Sequence, residues 1–180
     1  LHAQGQQASF SINLSGRAFE DASLLPLIKN LIGETGLEPT WLTFEITETA
    51  AIANLAAAED FISALKDIGC QFALDDFGSG FSSFAYLKHL PVDKLKIDGG
   101  FVKGMAHSSV DQAMVESMNQ IAHALGKQTI AECVENEESL QILRQMGVDR
   151  AQGNYIGRPR EALMSIAQVA VPVEAAVNSH

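Results

Sequence analysis

Two adjacent carboxylates stand at the end of an apolar segment, in the run Leu74-Asp75-Asp76-Phe77-Gly78-Ser79-Gly80. Neighbouring Asp side chains repel each other, and they lose solvation when they are buried without a positive charge. The pattern therefore favours a cation site, and the glycines on either side of Ser79 allow a sharp turn after it. An Asp-rich turn is the alternative that this stretch alone leaves open.

Other apolar segments also end in side chains that offer oxygen ligands or a positive charge. These residues are Asn13, Glu45, Glu48, Lys96, Asp98, Glu132, Glu135 and Gln152. Glu48, Asp98 and Glu135 could equally cap the helices that follow them. Glu45 and Glu132 fit capping poorly, because they lie directly on apolar segments.

The chemistry of these side chains indicates which metal they would bind. Oxygen ligands without His or Cys select hard divalent cations, Mg²⁺ or Mn²⁺, over zinc or copper. We expect the five histidines at surface or helical positions. Two metal ions that share a bridging carboxylate are a recognised arrangement for phosphodiester hydrolysis. Lys96 would then orient the attacking water or offset phosphate charge, and a structural ion pair with Asp75 or Asp76 is its alternative role.

Composition narrows the class of protein. The chain has 180 residues, 47% of them hydrophobic, which is enough for one domain with a substantial core. Its net charge of -10 argues against binding to DNA or RNA polymers, but a small phosphorylated ligand could be bridged by divalent cations. We expect Cys70 and Cys133 to be buried free thiols in a cytoplasmic protein. No segment reaches the ~20 apolar residues that span a bilayer.

Short apolar segments alternate with amphipathic helical stretches. The predicted strands cover residues 9–14, 41–46, 71–75, 92–97 and 128–132, with a short strand around Ala151. The predicted helices cover residues 21–36, 51–68, 82–89, 109–125 and 137–146. Gly69, Gly126 and Gly147 stand where helix C-caps belong.

About six βα units predict an α/β fold with a parallel sheet, whose functional groups gather at the carboxyl ends of the strands. A complete (β/α)8 barrel needs ~250 residues, so we expect a partial TIM-type barrel. An open doubly wound sheet is the alternative. It is less favoured because no glycine-rich dinucleotide fingerprint follows the first predicted strand.

Six stretches, in order, resemble the EAL-domain family of cyclic di-GMP phosphodiesterases. They are residues 11–15 (SINLS), 44–48 (FEITE), 74–80 (LDDFGSG), 94–98 (KLKID), 131–135 (AECVE) and 152–159 (QGNYIGRP). The resemblance implies a modified TIM barrel that hydrolyses cyclic di-GMP to linear pGpG with two Mg²⁺ or Mn²⁺ ions per site. It also implies a parent protein with other sensory domains, which can be anchored to a membrane.

The resemblance implies metal ligands residue by residue. Asn13, Glu45 and Asp75 match the ligands of one metal ion. Asp75 and Asp76 match the carboxylates that serve the second, so that Asp75 would be the bridge and Asp76 would also belong to the catalytic group.

The resemblance also implies the other catalytic residues and their support. Lys96 matches the lysine that contacts the attacking water, and Glu132 matches the glutamate assigned as general base or second-metal partner. Glu48 matches the glutamate that anchors the loop after the double Asp and couples the site to a homodimer formed through that region. The supporting positions are Gly78, Ser79, Gly80, Asp98, Glu135 and Gln152.

The chain departs from the family pattern at its beginning. The name-giving Glu-Ala-Leu lies on an early strand, so we expect residues 9–160 to be an EAL domain without its first strands, inactive or weak alone. Residues 1–8 would be the remnant of a preceding helix, and residues 161–180 a C-terminal helix or tail that contains a coincidental Glu-Ala-Leu. Cys133 stands where the family commonly has Gly, and Gly99 where a bulkier residue is usual.

Two other functions compete with phosphodiesterase activity. A degenerate EAL domain would bind cyclic di-GMP as a receptor without hydrolysing it. Such members usually lose several metal ligands, whereas every ligand position within this sequence is filled. A metal-dependent barrel of the enolase type is suggested by Lys94 and Lys96, but the double Asp before a glycine loop fits that class poorly.

Overall fold

The computed structural model describes residues 9–80 and 84–159. The predicted helix remnant at 1–8, the predicted tail at 161–180 with its Glu-Ala-Leu, and the start of the predicted helix 82–89 lie outside the described residues. The described chain falls into two compact units that divide between Lys94 and Leu95. No described helix is long and apolar enough to cross a membrane.

Strands and helices alternate along the described chain. The strands are β1 (Phe10–Leu14), β2 (Leu42–Thr47), β3 (Gln71–Phe77), β4 (Lys94–Ile97), β5 (Gln128–Ala131) and β6 (Arg150–Ala151). The helices are α1 (Leu24–Thr35), α2 (Glu48–Ala53), α3 (Leu55–Lys66), α4 (Gly99–Val102), α5 (Ser109–Ala124) and α6 (Glu137–Gln145). Short 3-10 turns cover Gly16–Phe19, Pro39–Trp41, Phe84–Lys88 and Met105–His107.

The strands follow chain order in the sheet, from β1 to β6. β1 with β2, β2 with β3, and β5 with β6 are parallel pairs. This order never reverses, whereas a doubly wound sheet reverses its strand order at a switch point. The expected barrel-type α/β winding is therefore confirmed, and the doubly wound alternative is wrong.

The core of the first unit lies between β2, β3 and the helices that follow them. Phe44 and Phe72 face each other across the two strands, with ring centroids 5.4 Å apart. Phe61, Ile62 and Leu65 on α3 are buried, in agreement with an amphipathic helix that packs its apolar side inward. The opposite side of β2 and β3 is left for polar side chains.

The predicted helix 51–68 is in fact two helices. α2 ends at Ala53, and α3 begins at Leu55. Asn54 between them has φ -145° and ψ 71°, and its Oδ1 accepts a hydrogen bond from Ala57 N at 3.3 Å. The side chain of Asn54 thus supplies the N-cap of α3, which explains why the run does not continue as one helix.

In the second unit, a polar network joins α5 to the beginnings of β5 and β6. Thr129 at the start of β5 is fully buried, and its hydroxyl donates to Asn119 Oδ1 on α5 at 2.6 Å. Asp149, just before β6, accepts a hydrogen bond from Thr129 N at 2.7 Å and lies 2.8 Å from His123 Nε2. These contacts join α5, β5 and β6, and they give His123 a structural role.

Candidate active site

Asn13, Glu45 and Asp75 lie on one side of the first three strands. Asn13 pairs with Glu45 in the register of β1 and β2. Glu45 pairs with Ala73, and Asp75 lies two residues further along β3. Paired residues of parallel strands, and residues two apart on one strand, point to the same face of a sheet. The register therefore directs these three oxygen-bearing side chains to a common face.

Asp75 and Asp76 belong to β3, which runs two residues beyond its predicted end at position 75. Both side chains are half-buried. Asp76 has φ 55°, a left-handed conformation that is uncommon for residues other than glycine, although Asp adopts it more readily than most. The carbonyl oxygen of Asp76 accepts a hydrogen bond from Ser79 N at 3.1 Å, which closes the turn into the glycine loop.

The buried carboxylate of Glu48 binds the first residue of this loop and a tyrosine further along the chain. Glu48 is 1% exposed and is the first residue of α2. Its Oε2 accepts a hydrogen bond from Gly78 N at 3.0 Å, and its Oε1 accepts one from the Tyr86 hydroxyl at 2.8 Å. Thr47, not Glu48, caps α2. Glu48 therefore connects Gly78, at the start of the loop, to Tyr86.

Tyr86 was not identified from the sequence. It is 8% exposed, and burial, together with its hydrogen bond to Glu48 and the negative charge of that residue, raises its pKa. Its hydroxyl stays protonated and able to donate at physiological pH. Tyr86 and Glu48 are 38 residues apart in the chain, so neither helical nor strand periodicity could have connected them.

Lys96 and Glu132 form an ion pair in the second unit. Lys96 lies on β4 and Glu132 directly follows β5. Nζ of Lys96 lies 2.8 Å from Oε1 of Glu132, and the two side chains are 5% and 17% exposed. Glu132 N also donates to the carbonyl oxygen of Ile97 at 3.2 Å. A nearly buried, charge-assisted pair of this kind holds both side chains in a fixed orientation.

The remaining predicted residues of this unit are more exposed. Asp98 is the N-cap of α4, and its Oδ1 accepts a hydrogen bond from Gly100 N at 2.7 Å. Glu135 is exposed and is not the cap of α6, because Asn136 occupies that position. Gln152 follows β6, and its backbone binds Ala131 and Val134.

A family model described as the EAL domain matches residues 1–159. A cyclic di-GMP phosphodiesterase, PdeB, of Shewanella oneidensis is 42% identical over 155 residues, which cover 86% of this chain and 18% of the relative. The curated relatives are much longer than this chain, which spans between 18% and 24% of their length.

Solved structures agree with the family match. The phosphodiesterase PaMucR in complex with c-di-GMP is 36% identical, with a TM-score of 0.79 over 89% of this chain and 63% of that one. The FimX EAL domain of Pseudomonas aeruginosa bound to c-di-GMP is 30% identical, with a TM-score of 0.83 over 87% and 64%. The chain therefore belongs to the EAL-domain family, as its sequence predicted.

Proposed function

We propose that the protein hydrolyses cyclic di-GMP to linear pGpG. The observation that carries the proposal is the family match over residues 1–159, together with relatives named as cyclic di-GMP phosphodiesterases. The positions that match the family's catalytic residues also carry the expected side chains, namely Asp75, Asp76, Lys96 and Glu132.

We propose that the site holds two ions, Mg²⁺ or Mn²⁺. The oxygen-bearing side chains on β1, β2 and β3 fit such cations. Asp75 and Asp76 are half-buried carboxylates that could each offer one ligand oxygen. Glu45 and Asn13, on the same face as Asp75, would complete a set of hard oxygen donors. When bound, such cations lower the pKa of a water molecule and offset charge on phosphate oxygens.

The chain's own residues would divide the remaining work. We propose that Lys96 orients the attacking water and that Glu132 accepts its proton. Their 2.8 Å ion pair supports these roles, because it holds a proton acceptor and a cation side by side. Asp76 would serve the second ion, and the loop Gly78-Ser79-Gly80 would be positioned by Glu48. Asp98, Glu135 and Gln152 would support the segments around them.

We also propose that the protein forms a homodimer through the region after the Asp75-Asp76 loop and that it works in the cytoplasm with other sensory domains. The free thiols of Cys70 and Cys133 suit a reducing compartment. Light scattering tests the dimer: a monomer at micromolar concentration would contradict it.

A receptor that binds cyclic di-GMP without hydrolysing it is the second candidate. The FimX EAL domain is described as bound to c-di-GMP and without a named activity, and this likeness keeps a receptor as the alternative. Incubation of the full-length protein with cyclic di-GMP and Mg²⁺, followed by chromatography of the nucleotides, separates the two. Appearance of pGpG supports the enzyme, whereas binding without product supports the receptor.

A further inference from the structure

The segment that follows β5 carries Glu132 and is held by backbone contacts on both sides. Glu132 N donates to the Ile97 carbonyl at 3.2 Å. Two residues later, Val134 N donates to the carbonyl of Gln152 at 3.0 Å, and the Val134 carbonyl accepts from Tyr155 N at 3.0 Å. The residue between these anchors, Cys133, has φ 54°. Non-glycine residues rarely adopt this strained left-handed region, so surrounding contacts must maintain it.

Gly99, the first residue of α4, packs directly against Cys133. A Cβ atom at position 99 would lie 2.5 Å from Cys133 Sγ and 2.7 Å from Cys133 Cβ. Rotation of the Cys133 side chain could move Sγ away, but Cβ is fixed to the backbone. Any side chain at position 99 must therefore displace the backbone of Cys133 or the start of α4.

A second close contact restricts the same segment. Gly153 packs against the next residue, Val134, where a Cβ atom would lie 2.2 Å from Val134 N and 2.3 Å from the Val134 carbonyl oxygen. Cys133 and Val134 are thus each approached closely by a glycine. A displacement at Cys133 would be transmitted to its neighbour Glu132, and a displacement of α4 to Lys96, three residues before Gly99.

We propose that Gly99 and Cys133 are a matched size pair that positions Glu132 against Lys96. The absent side chain at position 99 provides the space that the Cys133 side chain occupies, and together they set the path of the backbone next to Glu132. Gly99 and Cys133 are positioning residues, since their effect acts through Glu132. The inference rests on the proposed hydrolysis of cyclic di-GMP, for which Glu132 is the proton acceptor.

Three variants of the full-length protein test the pair: Gly99→Ala, Cys133→Gly and the double variant. Gly99→Ala should lower kcat for cyclic di-GMP by about 10²-fold with little change in KM, because a misplacement of about 1 Å has this effect on a catalytic group. Cys133→Gly should lower kcat by less than Gly99→Ala, since glycine adopts positive φ without strain but leaves the space beside Gly99 unfilled. The double variant should recover most of the lost kcat.

Gly33→Ala is the matched control. Gly33 lies in α1, and a Cβ atom there would meet nothing within 4 Å. This variant should keep wild-type activity, with a melting temperature equal to or slightly above that of the wild type, because Ala favours a helix interior over Gly. If Gly99→Ala behaves like Gly33→Ala, or if Cys133→Gly fails to rescue Gly99→Ala, the size pair is wrong.

Crystal structures of the same variants give a readout that does not depend on activity. The 2.8 Å contact between Lys96 Nζ and Glu132 Oε1 should be lost in Gly99→Ala and restored in the double variant. An intact contact in Gly99→Ala would overturn the positioning role. Absence of hydrolysis by the wild type would instead count against the proposed function, and the structures would still decide on the size pair.

Discussion

Lys96 Nζ and Glu132 Oε1 form an ion pair at 2.8 Å, although the two residues lie 36 positions apart in the sequence. Lys96 lies on β4, whereas Glu132 directly follows β5. Both side chains are largely withdrawn from solvent, so their charges are screened less than those of a surface pair. The pair gives the proposed proton acceptor a fixed orientation, and it couples the two residues energetically.

Glu132→Gln should lower kcat for cyclic di-GMP by about 10²–10⁴-fold, the usual contribution of a general base. The amide keeps the size of the side chain but cannot accept the proton. Steady-state kinetics with Mg²⁺ measure the effect, with Glu138→Gln on the exposed first turn of α6 as the control. Unchanged kcat in Glu132→Gln would contradict the assignment.

Lys96→Met should lower the free energy of unfolding by about 3 kcal/mol, because the Glu132 carboxylate then stays in a nearly buried position without this cation. Adding Glu132→Gln to Lys96→Met should recover part of that loss. Urea denaturation of both single variants and the double variant measures the coupling. Strictly additive losses would show that the ion pair carries no coupling energy.

Tyr86→Phe should destabilise the protein by about 1–3 kcal/mol, because one oxygen of the buried Glu48 carboxylate loses its donor. The phenyl ring keeps the packing, so the change isolates the hydroxyl. Tyr155→Phe, at a residue 46% exposed, is the matched control. Equal stability of the two variants in urea would exclude a structural role for the Tyr86 hydroxyl.

The winding of the fold could be predicted because the apolar segments and helical stretches alternate regularly. The break at Asn54 within the predicted helix 51–68 illustrates the limit of this reasoning. Ala-rich sequence on both sides of position 54 favours one helix, but Asn54 stops the first helix and caps the second, which a periodicity argument does not resolve.

The residues of the candidate site could be proposed from the sequence because each lies on or just after an apolar strand. Their supports could not be. Tyr86 reaches Glu48 only in the folded chain, and the close approach of Gly99 to Cys133 depends on a left-handed backbone at position 133. Such contacts depend on tertiary packing and leave no local pattern.

The free energy of unfolding should fall in acid, and protonation of Asp149 should account for part of that fall. Burial acts to raise the pKa of Asp149, but hydrogen bonds from Thr129 and His123, with the charge of His123, lower it below the usual 3.8. A lowered pKa in the folded state adds stability above pH ~4, and that stability is lost as the pH falls through the folded pKa. Asp149→Asn should therefore lose this part of the acid dependence.

Thermal unfolding between about pH 2 and pH 6 measures that effect. The difference in stability between wild type and Asp149→Asn should shrink as the pH falls. Asp60→Asn, at an exposed position of α3, serves as the control. A difference that stays constant over this range would contradict the role of Asp149.

Hydrolysis of cyclic di-GMP by the full-length protein tests the central claim most directly. Chromatography should detect pGpG with Mg²⁺ or Mn²⁺, and product should disappear with a chelator and fall by orders of magnitude in Asp75→Asn, which weakens the proposed bridging ligand. Wild-type protein that forms no pGpG in the presence of metal, or Asp75→Asn protein that forms it at the wild-type rate, would contradict the account.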